Sequence, residues 1–315
     1  MVNVVIAGGS GNVAREVIDR IVAKNKHNVT VFTRQTVENP RSDGLTWVQV
    51  DYKNKHDLAD KLHGVDVVLS FFSGADRLGV IQTEKNLIDA AVQAGVKRFA
   101  PAEWGTRSNN TVPFYTFKDD VRKYLEDLNK DKTVIEYSLF QPGLFLNYLG
   151  YPHSSTKHFS MSPIYVDLEK RRAIIVSDGN SPITFTTIQD MAGVVAEALD
   201  YEGKWPATGG MQGTQTTVAE LVELGTKLRG SMDVESVSLE DLEAGELKSS
   251  WYPPLNHPSI PAEMVDEMSK TATIHFLCSA AKGEWSVSDD WNKLLPSFRF
   301  TTAEEYLRTI WDGKP

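Results

Sequence analysis

Val2-Asn3-Val4-Val5-Ile6-Ala7-Gly8-Gly9-Ser10-Gly11-Asn12-Val13-Ala14 is the stretch from which the fold is read. Residues 2–6 have the pattern of a short buried strand. Beyond the glycines, Val13, Val17, Ile18, Ile21 and Val22 recur at helical spacing. A helix start exposes backbone N–H groups that have no partner inside the helix, at the positive end of its dipole, so an anion is favoured there. In this G-x-x-G-x-x-A spacing, Gly8 takes the backbone angles of a tight turn, and Gly11 lets the main chain approach phosphate oxygens without a Cβ in the way. Ala14 lets helix pack on strand. Glycine turns also join ordinary strands and helices. Here the strand before and the amphipathic helix after select the reading of a phosphate-binding unit.

Working outward, residues 28–33 form a second strand ending at Arg34, where an NAD-selective fold would place a ribose-binding acid. A guanidinium at that tip pairs with a 2′-phosphate instead, so Arg34 argues for NADP(H); the competing reading is a solvated loop arginine. Residues 46–50 form a third strand ending at Asp51, which reads either as an acceptor for the adenine amino group or as a plain loop acid. A short helix near 56–62 leads to a fourth strand over 65–70 and then to Phe71-Phe72-Ser73. The helix over 80–94 carries Val80, Ile81, Leu87, Ile88, Ala91 and Val92 on one stripe and stops at Gly95. Residues 96–100 form a fifth strand that delivers Pro101-Ala102-Glu103-Trp104-Gly105 to the carboxyl edge of the sheet.

The next helix has Phe117, Val121, Leu125 and Leu128 as its apolar positions, with Lys118 beside that stripe. Partial burial and the positive helix end both lower a lysine's pKa toward a value useful for proton transfer, whereas on an open surface Lys118 would simply pair with an acid. Residues 133–139 form a sixth strand leading into Phe140-Gln141-Pro142-Gly143-Leu144-Phe145. Near-continuous Val/Leu strands alternating with helices predict an α/β, Rossmann-type doubly wound parallel sheet over residues 1–150, with ligands beyond the strands' carboxyl ends. Residues 151–315 read as a smaller mixed α/β substrate region with fewer helices and longer loops, parts of it returning to the sheet. Three capping boxes are legible there, at Thr187/Asp190, Thr217/Glu220 and Thr302/Glu305. The aromatic and proline-rich segment 251–258 reads as a substrate lid or a plain loop.

Composition removes other classes. The 315 residues carry net charge −9, from 33 basic and 42 acidic residues intermixed, which argues against a nucleic-acid or anionic-membrane surface. Cys278, the only cysteine, excludes an intrachain disulfide. No apolar run reaches membrane length and residue 2 already belongs to a strand, so a cytoplasmic protein is expected. His56 with His63, and His153 with His158, lack companions at metal-ligand spacing, so no metal is expected. His153 and His158 follow the 141–145 turn and are candidates for the substrate side.

Together, residues 7–14, Val96-Lys97-Arg98-Phe99-Ala100-Pro101-Ala102-Glu103-Trp104-Gly105, Lys118 before Val121-Arg122-Lys123-Tyr124-Leu125, and Gln141-Pro142-Gly143-Leu144-Phe145 resemble the isoflavone reductase-like, or NmrA-like, atypical short-chain dehydrogenases. Segments 185–190 and 201–206 are similar to the fungal branch. The resemblance implies an NADP-binding Rossmann domain, a substrate domain, and hydride transfer from NADPH to an aromatic, phenolic or enone small molecule. It assigns Gly8, Ser10, Gly11, Asn12 and Val13 to the pyrophosphate and Arg34 to the 2′-phosphate. Phe72 and Pro142-Gly143-Leu144 fall to the ribose and nicotinamide, and Lys118 becomes the acid/base that also reaches the cofactor. Glu103, Trp104 and Phe145 fall on the substrate side. Two departures are visible: Ala102 replaces the serine common before the glutamate, and there is no Tyr-x-x-x-Lys, which also disfavours a nucleotide-sugar epimerase. NmrA-like folds further include non-catalytic NADP(H)-sensing regulators that act through a protein partner, the alternative to an enzyme. Oligomeric state is not legible.

Overall fold

The computed structural model describes residues 1–37, 45–74, 76–107, 111–255 and 261–314. Its central element is a six-stranded, all-parallel sheet in the order β3-β2-β1-β4-β5-β6. The chain runs β1 (Asn3–Ala7), α1 (Asn12–Ala23), β2 (Asn28–Thr33), β3 (Thr46–Gln49), α2 (Lys55–Lys61), β4 (Val67–Ser70), α3 (Arg77–Ala94), β5 (Arg98–Ala100), α4 (Phe117–Leu128) and β6 (Glu136–Tyr137). Successive side chains leave opposite faces of a strand, so Val4 and Ile6 pack under α1 while Val5 and Ala7 pack under α2, α3 and α4. Full burial of each such Val or Ile contributes about 1.5–3 kcal/mol.

The single sixth strand expected over 133–139 is two short ones. Ser138 N–H still donates to Phe99 O of β5 (3.1 Å), but Leu139 N–H turns to Ala207 O (2.9 Å). Beyond that point β7 (Leu139–Gln141) pairs in parallel with a strand from the second half, β12 (Thr208–Gly210). The chain therefore changes partners at Ser138.

The second half continues with β8 (Leu144–Phe145), β9 (Val166–Asp167), β10 (Arg172–Val176), β11 (Pro182–Thr186), α5 (Ile188–Ala198), β13 (Thr214–Thr217), α6 (Val218–Arg229), β14 (Asp233–Val237), α7 (Leu239–Glu243), α8 (Val265–Ala281), α9 (Asp290–Leu294) and α10 (Ala303–Trp311). Helices are thus not fewer here than in the first half. Two three-stranded sheets, β14-β10-β9 and β13-β11-β8, join α6, α8 and α10 around a core of their own. Meanwhile α5 packs on α1 and completes the cover of the parallel sheet, through Ile188, Met191, Val194 and Val195.

Thr217/Glu220 and Thr302/Glu305 form full capping boxes. Thr187/Asp190 does not. Thr187 caps Asp190 N–H, but the shorter Asp190 carboxylate accepts instead from Thr301 N–H (2.8 Å) and anchors the segment before α10. Part of the proposed lid, residues 256–258, lies outside the described residues. Leu255 N–H is bonded to Ser269 on α8.

Candidate active site

Five strand ends of the parallel system meet the residues singled out by sequence. At the first, Gly8 has φ +74°, and a Cβ there would lie 3.1 Å from the backbone of Phe71 at the end of β4. Only glycine fits that turn without strain. Gly11 N–H closes onto Gly8 O (3.1 Å), and Gly11 caps α1 with no side-chain hydrogen bond. A Cβ on Gly11 would meet nothing but Gly8 O, at 3.4 Å, so its own neighbours do not demand a glycine. Asn12 and Val13 precede the first closed turn, Arg15 N–H to Gly11 O, and Ser10, Gly11 and Asn12 are exposed. This is an anion cradle of the kind a dinucleotide pyrophosphate fits. The Asn12 side chain is committed to Ser160 Oγ (2.9 Å), a loop of the second half.

Arg34 is exposed at the tip of β2, its carbonyl accepting from Gln49. Next to it Tyr52, missed by sequence reading, donates to Phe32 O (3.3 Å) and meets the Phe72 ring edge-on at 4.7 Å. Burial drives the Tyr52 phenol well above its usual pKa, while a Gly8 backbone hydrogen bond and the Arg34 charge act the other way. Gly8, Arg34, Tyr52 and Phe72 are therefore one neighbourhood. Asp51 is exposed, and its Oδ1 accepts Lys53 N–H (2.9 Å), a local turn contact.

Beyond β5, Lys118 sits within the buried face of α4 rather than beside it, only 8% exposed. The loop after β5 covers it. Its Nζ donates to Glu103 O at 2.6 Å and lies 4.0 Å above the centre of the Tyr115 ring, and among the described residues no carboxylate pairs with it. Burial lowers its pKa to about 8; Glu103 and Asp119 push it up, and Arg122 pushes it down. Such a group exchanges a proton near neutral pH. A Cβ on Gly105 would lie 3.4 Å from this Nζ. The Gly105 carbonyl accepts Gly143 N–H (3.1 Å), which ties the loop to the Pro142-Gly143-Leu144 turn. Trp104 connects this side to the cradle: its indole donates to Ser70 O (2.8 Å) and stacks on Phe71 at 4.3 Å, the residue whose backbone meets Gly8.

The five residues expected on the substrate side, Glu103, Trp104, Phe145, His153 and His158, make these contacts within the fold. Glu103 is 1% exposed, and its carboxylate is held by Arg122 (Nε to Oε2, 3.1 Å, and Nη2 to Oε1) and by Gln141 (3.2 Å). It builds the loop and has no free oxygen to offer. Trp104 stacks on Phe71 and Phe140, and its N–H is spent on Ser70 O. His153 lies edge-on to Trp311 (5.0 Å) and near Glu169 (4.0 Å), facing α10. His158 pairs with Asp19 of α1 (3.2 Å). Phe145 is buried against the edge of Phe159 (5.1 Å).

Sequence reading also missed Glu84, in α3. It is fully buried under the same loop and accepts from Ser70 Oγ (2.7 Å) and Ala102 N–H (3.0 Å), with Oε2 unpartnered among the described residues. Burial raises its pKa to about 7. Among the described residues no cluster of His, Cys, Asp or Glu is arranged to hold a metal ion, and no helix is long and apolar enough to cross a membrane.

The sequence model described as NmrA-like family matches residues 2–307. Oxidoreductase swnN of Metarhizium robertsii is 24% identical, covering 100% of this chain and 98% of its own. Isoflavone reductase of Glycine max is 24% identical over 87% of this chain and 81% of its own. Among solved structures, AtPrR2 with NADP+ and (+)pinoresinol superposes with a TM-score of 0.72 at 22% identity, covering 98% of each chain. An Escherichia coli NADPH-dependent quinone oxidoreductase complexed with NADPH gives 0.66 at 22%, covering 98% and 100%.

Proposed function

The chain belongs to the NmrA-like family, and from that premise we propose that it is an NADP(H)-dependent reductase of a small aromatic, phenolic or enone molecule, with Lys118 supplying the proton. Residues 1–150 would hold the dinucleotide and much of 151–315 the substrate. The observation that carries this reading is the path from the bare glycine cradle, through Phe71 and Trp104, to a lysine that is held by the Glu103 carbonyl and lowered in pKa by its burial.

The cradle suits a pyrophosphate between Gly8 and Val13, and Arg34 a 2′-phosphate. Phe72 and the 142–144 turn would flank the ribose and nicotinamide. When bound, NADPH supplies the hydride. The Lys118 ammonium would give its proton to the substrate oxygen that gains the electron pair on reduction, and the amine would regain one from solvent. Proton delivery of this kind is worth about 10²–10⁴ in rate.

The test is NADPH consumption with menadione, an isoflavone and pinoresinol, beside NADPH and NADH titrations. Lys118→Met should bind NADPH as the parent does and turn over about 10²–10⁴ times more slowly. Arg34→Ser should weaken NADPH about ten- to a hundredfold and leave NADH nearly unchanged. Wild-type turnover in Lys118→Met removes that lysine from the chemistry. Tight NADPH binding with no turnover on any substrate points to the non-catalytic sensor instead.

A further inference from the structure

Lys118 is gripped by something other than a counter-ion. Its ammonium lies over the face of Tyr115, 4.0 Å from the ring centre, with one N–H already spent on the Glu103 carbonyl. Tyr115 closes the 3₁₀ turn Pro113–Tyr115 just ahead of α4, three residues before Lys118. The turn is fixed by Tyr115 N–H to Val112 O (2.9 Å), and Phe114 meets the Tyr115 ring edge-on at 4.9 Å and Phe276 of α8 at 5.7 Å. The Tyr115 hydroxyl makes no hydrogen bond among the described residues. What the side chain offers Lys118 is therefore its π face.

We infer that Tyr115 is a positioning residue whose ring face holds the Lys118 ammonium against the Glu103 carbonyl, so that the lysine meets substrate charged, as an acid. The inference rests on the proposed role of Lys118. Among the described residues, the groups facing Lys118 are Glu103, from the loop after β5, whose carboxylate is engaged by Arg122; Asp119 and Arg122 on α4 itself; and Tyr115, with Tyr148 beyond it. Against desolvation, which favours the neutral amine, the quadrupole of a shielded aromatic face favours the cation. An acid is what reduction requires, because the oxygen that gains the electron pair must gain a proton.

The experiment measures the Lys118 midpoint directly, by NMR titration of protein labelled with 13C at lysine Cε, the signal being assigned by its loss in Lys118→Met. Tyr115→Phe keeps the face and should keep the midpoint. Tyr115→Leu should lower it by about one pH unit, a tenfold shift in the protonation equilibrium. The basic limb of the pH profile for menadione reduction should move with it. If Tyr115→Leu does not fold, pentafluorophenylalanine at position 115 inverts the ring quadrupole at nearly constant shape, and the same drop is expected. An unchanged or raised midpoint overturns the inference, as does a drop in Tyr115→Phe equal to that in Tyr115→Leu, which would assign the effect to the hydroxyl. Undiminished turnover in Lys118→Met would defeat the proposed function while leaving the midpoint measurement intact, so the two failures are separable.

Discussion

Replacing Arg122 with Met should cost this protein several kcal/mol, and the structure says where that loss comes from. The guanidinium is 13% exposed and faces a carboxylate that is 1% exposed. It bonds both Glu103 oxygens, the Thr106 carbonyl (2.9 Å) and the Arg107 carbonyl (2.8 Å), with Asp119 at 3.2 Å. Met fills much of the volume but leaves the buried Glu103 carboxylate with Gln141 as its one hydrogen-bond partner among the described residues. Breaking a buried pair from one side costs about 3–5 kcal/mol, since the charge left behind has lost both water and partner. Urea unfolding followed by fluorescence measures this, and the accompanying fall in Tm should be on the order of 10 °C. The double variant Glu103→Gln/Arg122→Met leaves no orphaned charge and should be more stable than Arg122→Met alone. Because the same loop presents the Glu103 carbonyl to Lys118, Arg122→Met should also slow turnover. A loss under about 1 kcal/mol, or a double variant worse than the single by the full cost of Glu103→Gln, would refute the reasoning.

Gly143→Ala should be severely destabilising or fail to accumulate, because φ is +70° and the new Cβ would fall 2.2 Å from Thr184 O, a backbone atom of β11 that cannot swing aside; wild-type melting would contradict this. Glu84→Gln should show a pH-dependent gain. The folded pKa is raised from 4.5 to about 7, so the parent's stability is fully present below pH 4.5 and lost as pH rises through 7. A glutamine keeps an acceptor for Ser70 and Ala102 without that loss. The stability difference measured by urea unfolding should therefore grow between pH 4.5 and 7 and level off above; a gap independent of pH would mean that Glu84 is not the titrating group.

The cradle was legible in sequence because its demands are local: a positive φ at Gly8 and a bare Gly11 are written in one turn. The positions of the first five strands along the chain were legible for a similar reason, each being a short apolar run. The rest depended on contacts between distant residues. Counting 3.6 residues per turn leaves Lys118 at the margin of the Phe117, Val121 and Leu125 stripe, and only the loop after β5 buries it. Glu103 and Trp104 have side chains that invite a ligand, yet Arg122, nineteen residues on, and Ser70, thirty-four back, had already taken them. Some signals were present and unread. Arg122 stands four residues after Lys118, hence on the same helix face. Glu84 interrupts the stripe that runs from Val80 to Leu87, Ile88 and Ala91, which marks a carboxyl pointing into the sheet. The changeover at Ser138 left no comparable mark, since a strand that swaps neighbours keeps the same composition.

The packing of α5 upon α1 has a consequence for how the polypeptide is assembled. Ala14, Val17, Ile18 and Ile21 are hidden by Ile188, Met191 and Val195, a helix made more than 160 residues later. A ribosome that has finished the first 150 residues has produced every strand of the parallel sheet but not the lagging helix that shields one of its two sides. Until translation passes residue 198, that greasy flank stays wet, so the nascent protein must wait for its own distal half before the amino-terminal half can settle.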